Sequence, residues 1–167
     1  MKELSIYIHI PFCVRKCLYC DFLSFPVGEI SYVNQQSGQK SLRSETERDE
    51  IEDYVNLLCR EIVLRAPAFK KYQVISIFFG GGTPSLLPAE KLGKIMDVIR
   101  ASFVVSADAE ITVECNPGTV TAEKLAYYIT CGINRLSIGL QSTDDGELAR
   151  IGRIHDYETF LETYRLA

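Results

Sequence analysis

Apolar residues in this chain alternate between short continuous runs and longer stretches in which they recur at helical spacing. Short runs of this kind predict strands, and nearly continuous ones are typical of parallel strands buried on both faces. Four such runs are present, at residues 4–10, 74–79, 110–115 and 135–140. We therefore expect four buried strands.

Stretches in which apolar residues recur at helical spacing lie between these strands and after the last of them. They lie at residues 45–65, 88–103, 121–131, 144–150 and 157–167. In the third of these helices Thr121 is a capping residue at the start and Gly132 marks the end. This helix carries the apolar residues Leu125, Ala126 and Ile129.

The alternation of strands and helices predicts an α/β fold with a parallel sheet. Only about four strand–helix units are present, so we expect a partial parallel (β/α) barrel. No shift in composition marks a second domain, and residues 1–167 are expected to form the N-terminal part of one larger barrel domain. A polar stretch at about 26–50 predicts a long loop.

Composition and charge narrow the class of protein. Of the 167 residues, 47% are hydrophobic and 24% are charged, which is an ordinary globular balance. The net charge of −4 disfavours nucleic acid or an anionic membrane as the main partner. No apolar run is long enough to span a bilayer, and the N-terminus resembles no signal peptide, so we expect a cytoplasmic protein.

Four unusual motifs follow the four predicted strands. They are the cysteine loop that begins at Cys13, the run Gly80-Gly-Gly-Thr-Pro, the run Glu114-Cys-Asn-Pro-Gly, and the run Gly139-Leu-Gln-Ser. Active sites of barrels and open parallel sheets lie at the carboxyl ends of strands. The four motifs are therefore expected to meet in one cleft.

The cysteine loop contains Cys13, Cys17 and Cys20, at C-x3-C-x2-C spacing. Three close thiolates without an obvious fourth ligand suit an iron–sulfur cluster with one iron left open. The alternative is a zinc site with His9 as the fourth ligand. The other three cysteines (Cys59, Cys115 and Cys131) are scattered along the chain, and we interpret them as buried small apolar residues.

The other motifs also have a use in a binding cleft. Successive glycines let a ligand approach the backbone closely, although they also form ordinary tight turns. Glu114 and Gln141 would bind hydroxyls or an amine, or would be solvated residues at strand ends. Arg153 would pair with a carboxylate, or would be a surface charge. Tyr7 would contact a ligand, or would belong to the core.

Together these motifs carry a family resemblance. The cysteine spacing with an aromatic residue at Tyr19 resembles the signature of the radical S-adenosylmethionine (SAM) superfamily. The run from Tyr7 to Cys13, Gly-Gly-Gly-Thr-Pro, Glu-Cys-Asn-Pro and Ile138-Gly-Leu-Gln-Ser are similar to the oxygen-independent coproporphyrinogen III oxidase family, which includes the HemW haem chaperones. The resemblance implies a partial barrel of the radical SAM type.

The resemblance also implies cofactors. A [4Fe–4S] cluster would be held by Cys13, Cys17 and Cys20, with SAM on its open iron. One-electron reduction, from a donor such as a flavodoxin or ferredoxin, would cleave SAM to methionine and a 5′-deoxyadenosyl radical. The residues that the resemblance assigns to SAM are Tyr7, Tyr19, Gly81, Gly82, Thr83, Glu114, Gln141 and Arg153. Porphyrin or haem is the implied partner.

One position separates two branches of the family. Coproporphyrinogen oxidases of this family carry a further cysteine two positions after the third, where this chain has Phe22. The sequence Cys-Asp-Phe is what the HemW-like branch shows, so we expect haem binding and transfer. The alternatives are an oxidase that decarboxylates propionates to vinyls, or an inactive truncated fragment. Whether the chain is an enzyme stays open at this point.

Overall fold

The computed structural model describes residues 1–27 and 50–167. The strands within these residues are β1 (Lys2–Ile10), β2 (Phe12–Cys13), β3 (Phe25–Pro26), β4 (Tyr72–Gly81), β5 (Val104–Cys115) and β6 (Arg135–Ile138). The helices are α1 (Glu50–Arg65), α2 (Ala89–Ser102), α3 (Ala122–Thr130), α4 (Asp145–Arg150) and α5 (Tyr157–Leu166). Short 3-10 turns lie at Ala66–Phe69 and Pro84–Leu86.

The central sheet has four parallel strands in the order β1-β4-β5-β6. Its register aligns the carboxyl ends, because Ile10 lies opposite Gly81 and Cys115 lies opposite Ile138. The first residues after each strand therefore come together at one edge. A second, two-stranded sheet joins β2 to β3 beside that edge.

The predicted α/β class and the four parallel strands are confirmed. Strands β1, β4 and β5 are longer than the apolar runs that predicted them, and β6 is shorter. Most of the predicted polar loop at about 26–50 lies outside the described residues, as does the predicted start of the first helix. That helix ends at Arg65, as expected from Pro67.

The two faces of the sheet differ in polarity. Residues such as Ile8, Val74 and Val113 point to the helices and join one apolar core with α1, α2 and α3. The alternate positions are mostly polar, with Phe78 as an exception, and Ser76 Oγ there donates to Ser5 Oγ at 2.7 Å. The prediction of burial on both faces is thus wrong for the two edge strands of the described sheet: β1 alternates in exposure, and β6 has no buried residue.

The apolar residues of α3 differ in burial. Leu125 is buried, but Ala126 and Ile129 are exposed, and the second buried residue of the helix is Tyr128, with 1% exposure. The two buried residues, Leu125 and Tyr128, lie three positions apart on the helix, and Ile129 lies beside this row and faces solvent. No helix among the described residues is long and apolar enough to cross a membrane.

Candidate functional site

A cavity of about 240 Å³ lies where the strands of the central sheet end. It is lined by residues from the cysteine loop, the glycine loop (residues 80–84), the end of β5 and the segments after β6. Of the predicted site residues it includes Cys13, Cys17, Cys20, Tyr19, Gly81, Gly82, Thr83, Glu114, Gln141 and Arg153. We call it the strand-end cavity; only Tyr7 among the predicted residues is missing from its lining.

The three cysteines of the loop reach this cavity as free thiols. Cys13 is buried at the end of β2, and its carbonyl oxygen accepts a hydrogen bond of 2.9 Å from the amide of Val27. The loop then turns back on itself, because the amide of Cys20 donates to the carbonyl oxygen of Cys17 at 3.1 Å. This turn brings both of these half-buried cysteines to the cavity that Cys13 lines.

The cysteine loop is anchored to the turn that follows α4. The amide of Leu18 donates to the carbonyl oxygen of Ile151 at 3.0 Å, and the Arg15 guanidinium donates to that of Gly152 at 3.0 Å. Gly152 has φ +81°, and a Cβ atom there would lie 3.1 Å from the Leu18 amide nitrogen. A glycine is required here because the chain turns sharply against another backbone.

The glycine loop makes a close backbone approach to β1 and β2. The amide of Gly82 donates to the carbonyl oxygen of Ile10, and that of Thr83 donates to Phe12, each at 2.7 Å. A Cβ atom on Gly82 would lie 2.6 Å from the Phe12 carbonyl oxygen. The glycine is thus needed to bring β4 against the start of the cysteine loop, rather than for an ordinary turn.

The Glu114 carboxylate points into the strand-end cavity from the end of β5. It is half-buried, and its Oε2 accepts a hydrogen bond of 3.2 Å from the amide of Gly81. Burial raises the pKa of this carboxyl, and the Gly81 hydrogen bond opposes that rise. The alternative of a freely solvated carboxylate at a strand end is therefore wrong.

Arg153 is buried, with 9% of its surface exposed, so the alternative of a surface charge is wrong. Its Nη2 donates to Asn116 Oδ1 at 2.9 Å and to the carbonyl oxygen of Gly139 at 3.1 Å. Its Nη1 donates to Cys17 Sγ at 3.7 Å and to the hydroxyl of Tyr19 at 3.4 Å. Its Nε is buried without a hydrogen-bond partner.

Gln141 reaches the cavity through an unusual backbone conformation. Its φ is +67°, the left-handed region that residues other than glycine rarely adopt. The side-chain amide of Gln141 lies against Gly139 at the end of the strand. A Cβ atom added to Gly139 would be only 2.9 Å from Gln141 Nε2. Such a conformation costs roughly 1–3 kcal/mol and is typical of functional sites.

Tyr7 lies outside the lining of the strand-end cavity but on the same face of the sheet. Burial raises the pKa of its hydroxyl, and the nearby Glu114 carboxylate adds to the rise. The hydroxyl lies 3.2 Å from His9 Nδ1, while His9 Nε2 lies 2.7 Å from the carbonyl oxygen of Leu23. Both ring nitrogens of His9 have partners within the chain, so the zinc alternative gains no support from His9.

The arrangement of the thiols bears on the kind of metal group. Within residues 1–27 and 50–167, no group of three or more His, Cys, Asp or Glu side chains is placed to hold a single metal ion. In a four-iron cluster each thiolate binds a different iron, so the thiols need not converge on one point. Three free thiols on one cavity, beside a buried unpartnered Nε of Arg153, fit a cluster with one open iron.

The structure adds cavity residues that sequence reasoning did not single out, among them Arg15, Lys16, Ser137 and Asn116. Asn116 follows directly after β5, and its side chain bridges Thr83 and Arg153. Asn116 could have been found from its position in the sequence, because polar residues that follow a strand of a parallel sheet face the site. Nearby, the half-buried Lys124 ammonium donates to the carbonyl oxygens of Ser85 and Thr119, and burial lowers its pKa to about 8.

Comparison with known protein families gives one family match. The model of the radical SAM superfamily matches residues 7–167. The matched range contains the cysteine loop, the glycine loop and every other segment that lines the strand-end cavity.

Curated relatives include several haem chaperones. HemW of Escherichia coli is 41% identical over 167 residues, which are all of this chain and 39% of that protein. HemW of Bacillus subtilis is 35% identical over 164 residues, or 98% of this chain and 38% of that protein. The chain thus spans about two fifths of the length of these relatives.

A solved structure matches almost the whole chain. It is the coproporphyrinogen III oxidase HemN from Escherichia coli, a radical SAM enzyme. The TM-score is 0.81 at 30% sequence identity, with 99% of this chain and 34% of that chain covered. The partial α/β fold predicted from the sequence therefore agrees with the corresponding part of that enzyme.

Proposed function

Since the chain belongs to the radical SAM superfamily, we propose that Cys13, Cys17 and Cys20 hold a [4Fe–4S] cluster whose open iron takes SAM. The observation that carries this proposal is the set of three free thiols on one strand-end cavity. When bound, such a cluster supplies one electron for the cleavage of SAM. The other proposals concern what the protein's own residues do around it.

The residues opposite the thiols suit the methionine end of SAM. Glu114 is a hydrogen-bond acceptor for an ammonium group, and its half-buried position strengthens that interaction. Arg153 lines the same cavity, and its guanidinium suits a carboxylate. The glycine loop brings backbone groups to the cavity without a side chain in the way.

Tyr7, Tyr19 and Gln141 complete the proposed SAM site. Tyr19 and Gln141 line the strand-end cavity, and Tyr19 is 52% exposed, so its ring is accessible to a ligand. Tyr7 is 57% exposed and lies beside Glu114, at the margin of the site. We assign it a contact with a part of SAM that extends out of the cavity along β1.

For the full-length protein we propose haem binding and transfer of the HemW kind. Two observations support it. Phe22 lines the cavity at the position where the oxidases of the family carry a further cysteine, and the haem chaperones above are 35–41% identical to this chain. We further propose that it acts in the cytoplasm with a flavodoxin or ferredoxin as its electron donor.

The second candidate is coproporphyrinogen III oxidation, favoured by the match to HemN. To separate the two, the full-length protein is reconstituted anaerobically and mixed with coproporphyrinogen III, SAM and a reductant. We expect no protoporphyrinogen, and we expect stable haem binding by absorbance in a parallel sample. Formation of protoporphyrinogen would overturn the chaperone proposal. The matched control is a Phe22→Cys variant, which places the further cysteine of the oxidases at the position that separates the two branches.

A further inference from the structure

The side-chain amide of Asn116 lies at the centre of a hydrogen-bonded chain that joins two cysteines of the cavity. Its Nδ2 donates to Thr83 Oγ1 at 3.0 Å, and its Oδ1 accepts from Arg153 Nη2 at 2.9 Å. Beyond these bonds, Thr83 Oγ1 donates to Cys13 Sγ and Arg153 Nη1 donates to Cys17 Sγ, each at 3.7 Å. Four separate segments thus form one path from thiol to thiol.

Donor and acceptor chemistry permits only one direction along this path. A guanidinium only donates, so Arg153 requires the oxygen end of the Asn116 amide, which leaves the NH2 group for Thr83. The Thr83 oxygen accepts that N–H, and its own hydrogen is then free for the sulfur of Cys13. The orientation of one amide therefore sets the direction of both outer donors.

The backbone and the surroundings hold this amide in place. The backbone N–H of Asn116 donates to Ser85 Oγ at 3.3 Å, and the backbone carbonyl oxygen of Asn116 accepts from Thr119 Oγ1 at 2.6 Å. The two outer donors are buried, since Thr83 is 3% exposed and Arg153 is 9% exposed. Water competes little for hydrogen bonds at such positions, so the bonds to sulfur are stronger there.

We propose that Asn116 is a positioning residue that directs Thr83 and Arg153 at the sulfurs of Cys13 and Cys17 and so raises the reduction potential of the cluster. The inference rests on the proposed function, because it requires a cluster on these cysteines. Hydrogen bonds and positive charge at the sulfurs stabilise the reduced, more negative state of a cluster. Within the described part of the chain, no side chain donates to Cys20 Sγ, so two of the three ligands are affected.

Two variants of Asn116 test this role in different ways. Asn116→Leu removes the side-chain amide at similar volume. The Thr83 hydroxyl and the Arg153 guanidinium then lose the hydrogen bonds that direct them at the sulfurs. Asn116→Asp still accepts from Arg153 but offers Thr83 an acceptor, which turns the hydroxyl away from Cys13 and adds a negative charge. The midpoint potential of the reconstituted cluster is measured without SAM by a redox titration followed by electron paramagnetic resonance (EPR).

We expect potentials in the order wild type, Asn116→Leu, Asn116→Asp, from highest to lowest. At a fixed potential the ratio of reduced to oxidised cluster should fall roughly tenfold in Asn116→Leu, the effect of losing about one hydrogen bond to a charged group. Asn56→Leu is the matched control, since Asn56 is an asparagine on α1 whose amide accepts from Lys94, remote from the cavity. Its potential should equal that of the wild type.

The possible results separate the two proposals. Equal potentials for the wild type and both Asn116 variants, at full iron content, would overturn the positioning role and leave the cluster proposal intact. Loss of the cluster from both variants but not from the wild type would assign Asn116 a merely structural role, which also overturns the inference. A wild-type protein that takes up no four-iron cluster would overturn the proposed function itself.

Discussion

The amide of Gly82 donates a hydrogen bond of 2.7 Å to the carbonyl oxygen of Ile10. This single contact joins the glycine loop at the end of β4 to the residue where β1 ends and the cysteine loop begins. It places the backbone of the glycine loop directly against that of the cysteine loop. The position of the thiols therefore depends on a glycine that lies far from them in sequence.

The first prediction concerns this contact. Gly82→Ala should lower the free energy of unfolding by roughly 1–3 kcal/mol, because the new Cβ would lie 2.6 Å from the Phe12 carbonyl oxygen and force the segments apart. Chemical denaturation measures the change, and iron uptake should fall with it. Gly146→Ala is the control, since Gly146 is exposed and the nearest atom to its new Cβ, at 3.0 Å, is the side-chain Oδ1 of Asp144 rather than a backbone atom. Equal stability for Gly82→Ala and the wild type would contradict the close approach.

The second prediction concerns the burial of Arg153. Arg153→Met should lower the free energy of unfolding by about 2–3 kcal/mol, because it leaves Asn116 Oδ1 and the carbonyl oxygen of Gly139 without their donor. Arg150→Met changes the same residue type where the side chain is 75% exposed, and should cost less than about 1 kcal/mol. Denaturation of the two variants side by side measures the difference. Equal losses would show that Arg153 behaves as a surface residue.

The third prediction tests the strained backbone at Gln141. Glycine adopts φ +67° without the penalty that a Cβ atom brings, so Gln141→Gly should be more stable than Gln141→Ala by about 1 kcal/mol. Both variants lack the side-chain amide, so their difference isolates the backbone. Urea denaturation gives the two free energies. An alanine variant as stable as the glycine variant would argue against the left-handed conformation.

The fourth prediction concerns pH and Lys124. Its pKa is about 8 in the folded protein, whereas an exposed lysine has a pKa of 10.5, so the unfolded chain binds more protons between these limits. The stability of the wild type relative to Lys124→Met should therefore be lowest below pH 8 and should rise from pH 8 to about 10.5. The full rise is about 3 kcal/mol at most.

The physical reason is that a neutral amine still has hydrogens for the carbonyl oxygens of Ser85 and Thr119 but avoids the cost of a buried charge. Lys70→Met, at an exposed position, corrects for the general effect of removing a positive charge. Denaturation at a series of pH values measures the differences. A relative stability that is constant, or falls, over this range would contradict the burial of Lys124 as an ammonium.

The sequence predicted the parallel sheet and the meeting of its four strand-end motifs because both follow from local patterns. Apolar runs identify parallel strands, and the carboxyl ends of such strands share one edge. The free thiols of Cys13, Cys17 and Cys20 line that edge, as expected. Here local spacing was enough, since the three residues lie in one short loop.

Features that depend on packing were not predictable in the same way. The sequence of α3 carries apolar residues at Leu125, Ala126 and Ile129, but Ile129 is exposed and Tyr128 is buried, which only the orientation of the packed helix determines. The burial of Arg153 results from contacts with Asn116 and Cys17, which are distant in sequence. The left-handed φ of Gln141 is set by the surrounding fold and carries no sequence signal, because it is not a glycine.

The measurement that tests the central claim most directly is iron content after anaerobic reconstitution, with EPR spectra of the reduced protein before and after addition of SAM. We predict about four irons per chain and a spectrum that changes with SAM. Cys17→Ala should lose the cluster, while Cys59→Ala, which alters a core thiol, should keep it. One metal ion or fewer per chain, or equal iron in Cys17→Ala and the wild type, would contradict the claim that these three cysteines hold a cluster with an open iron.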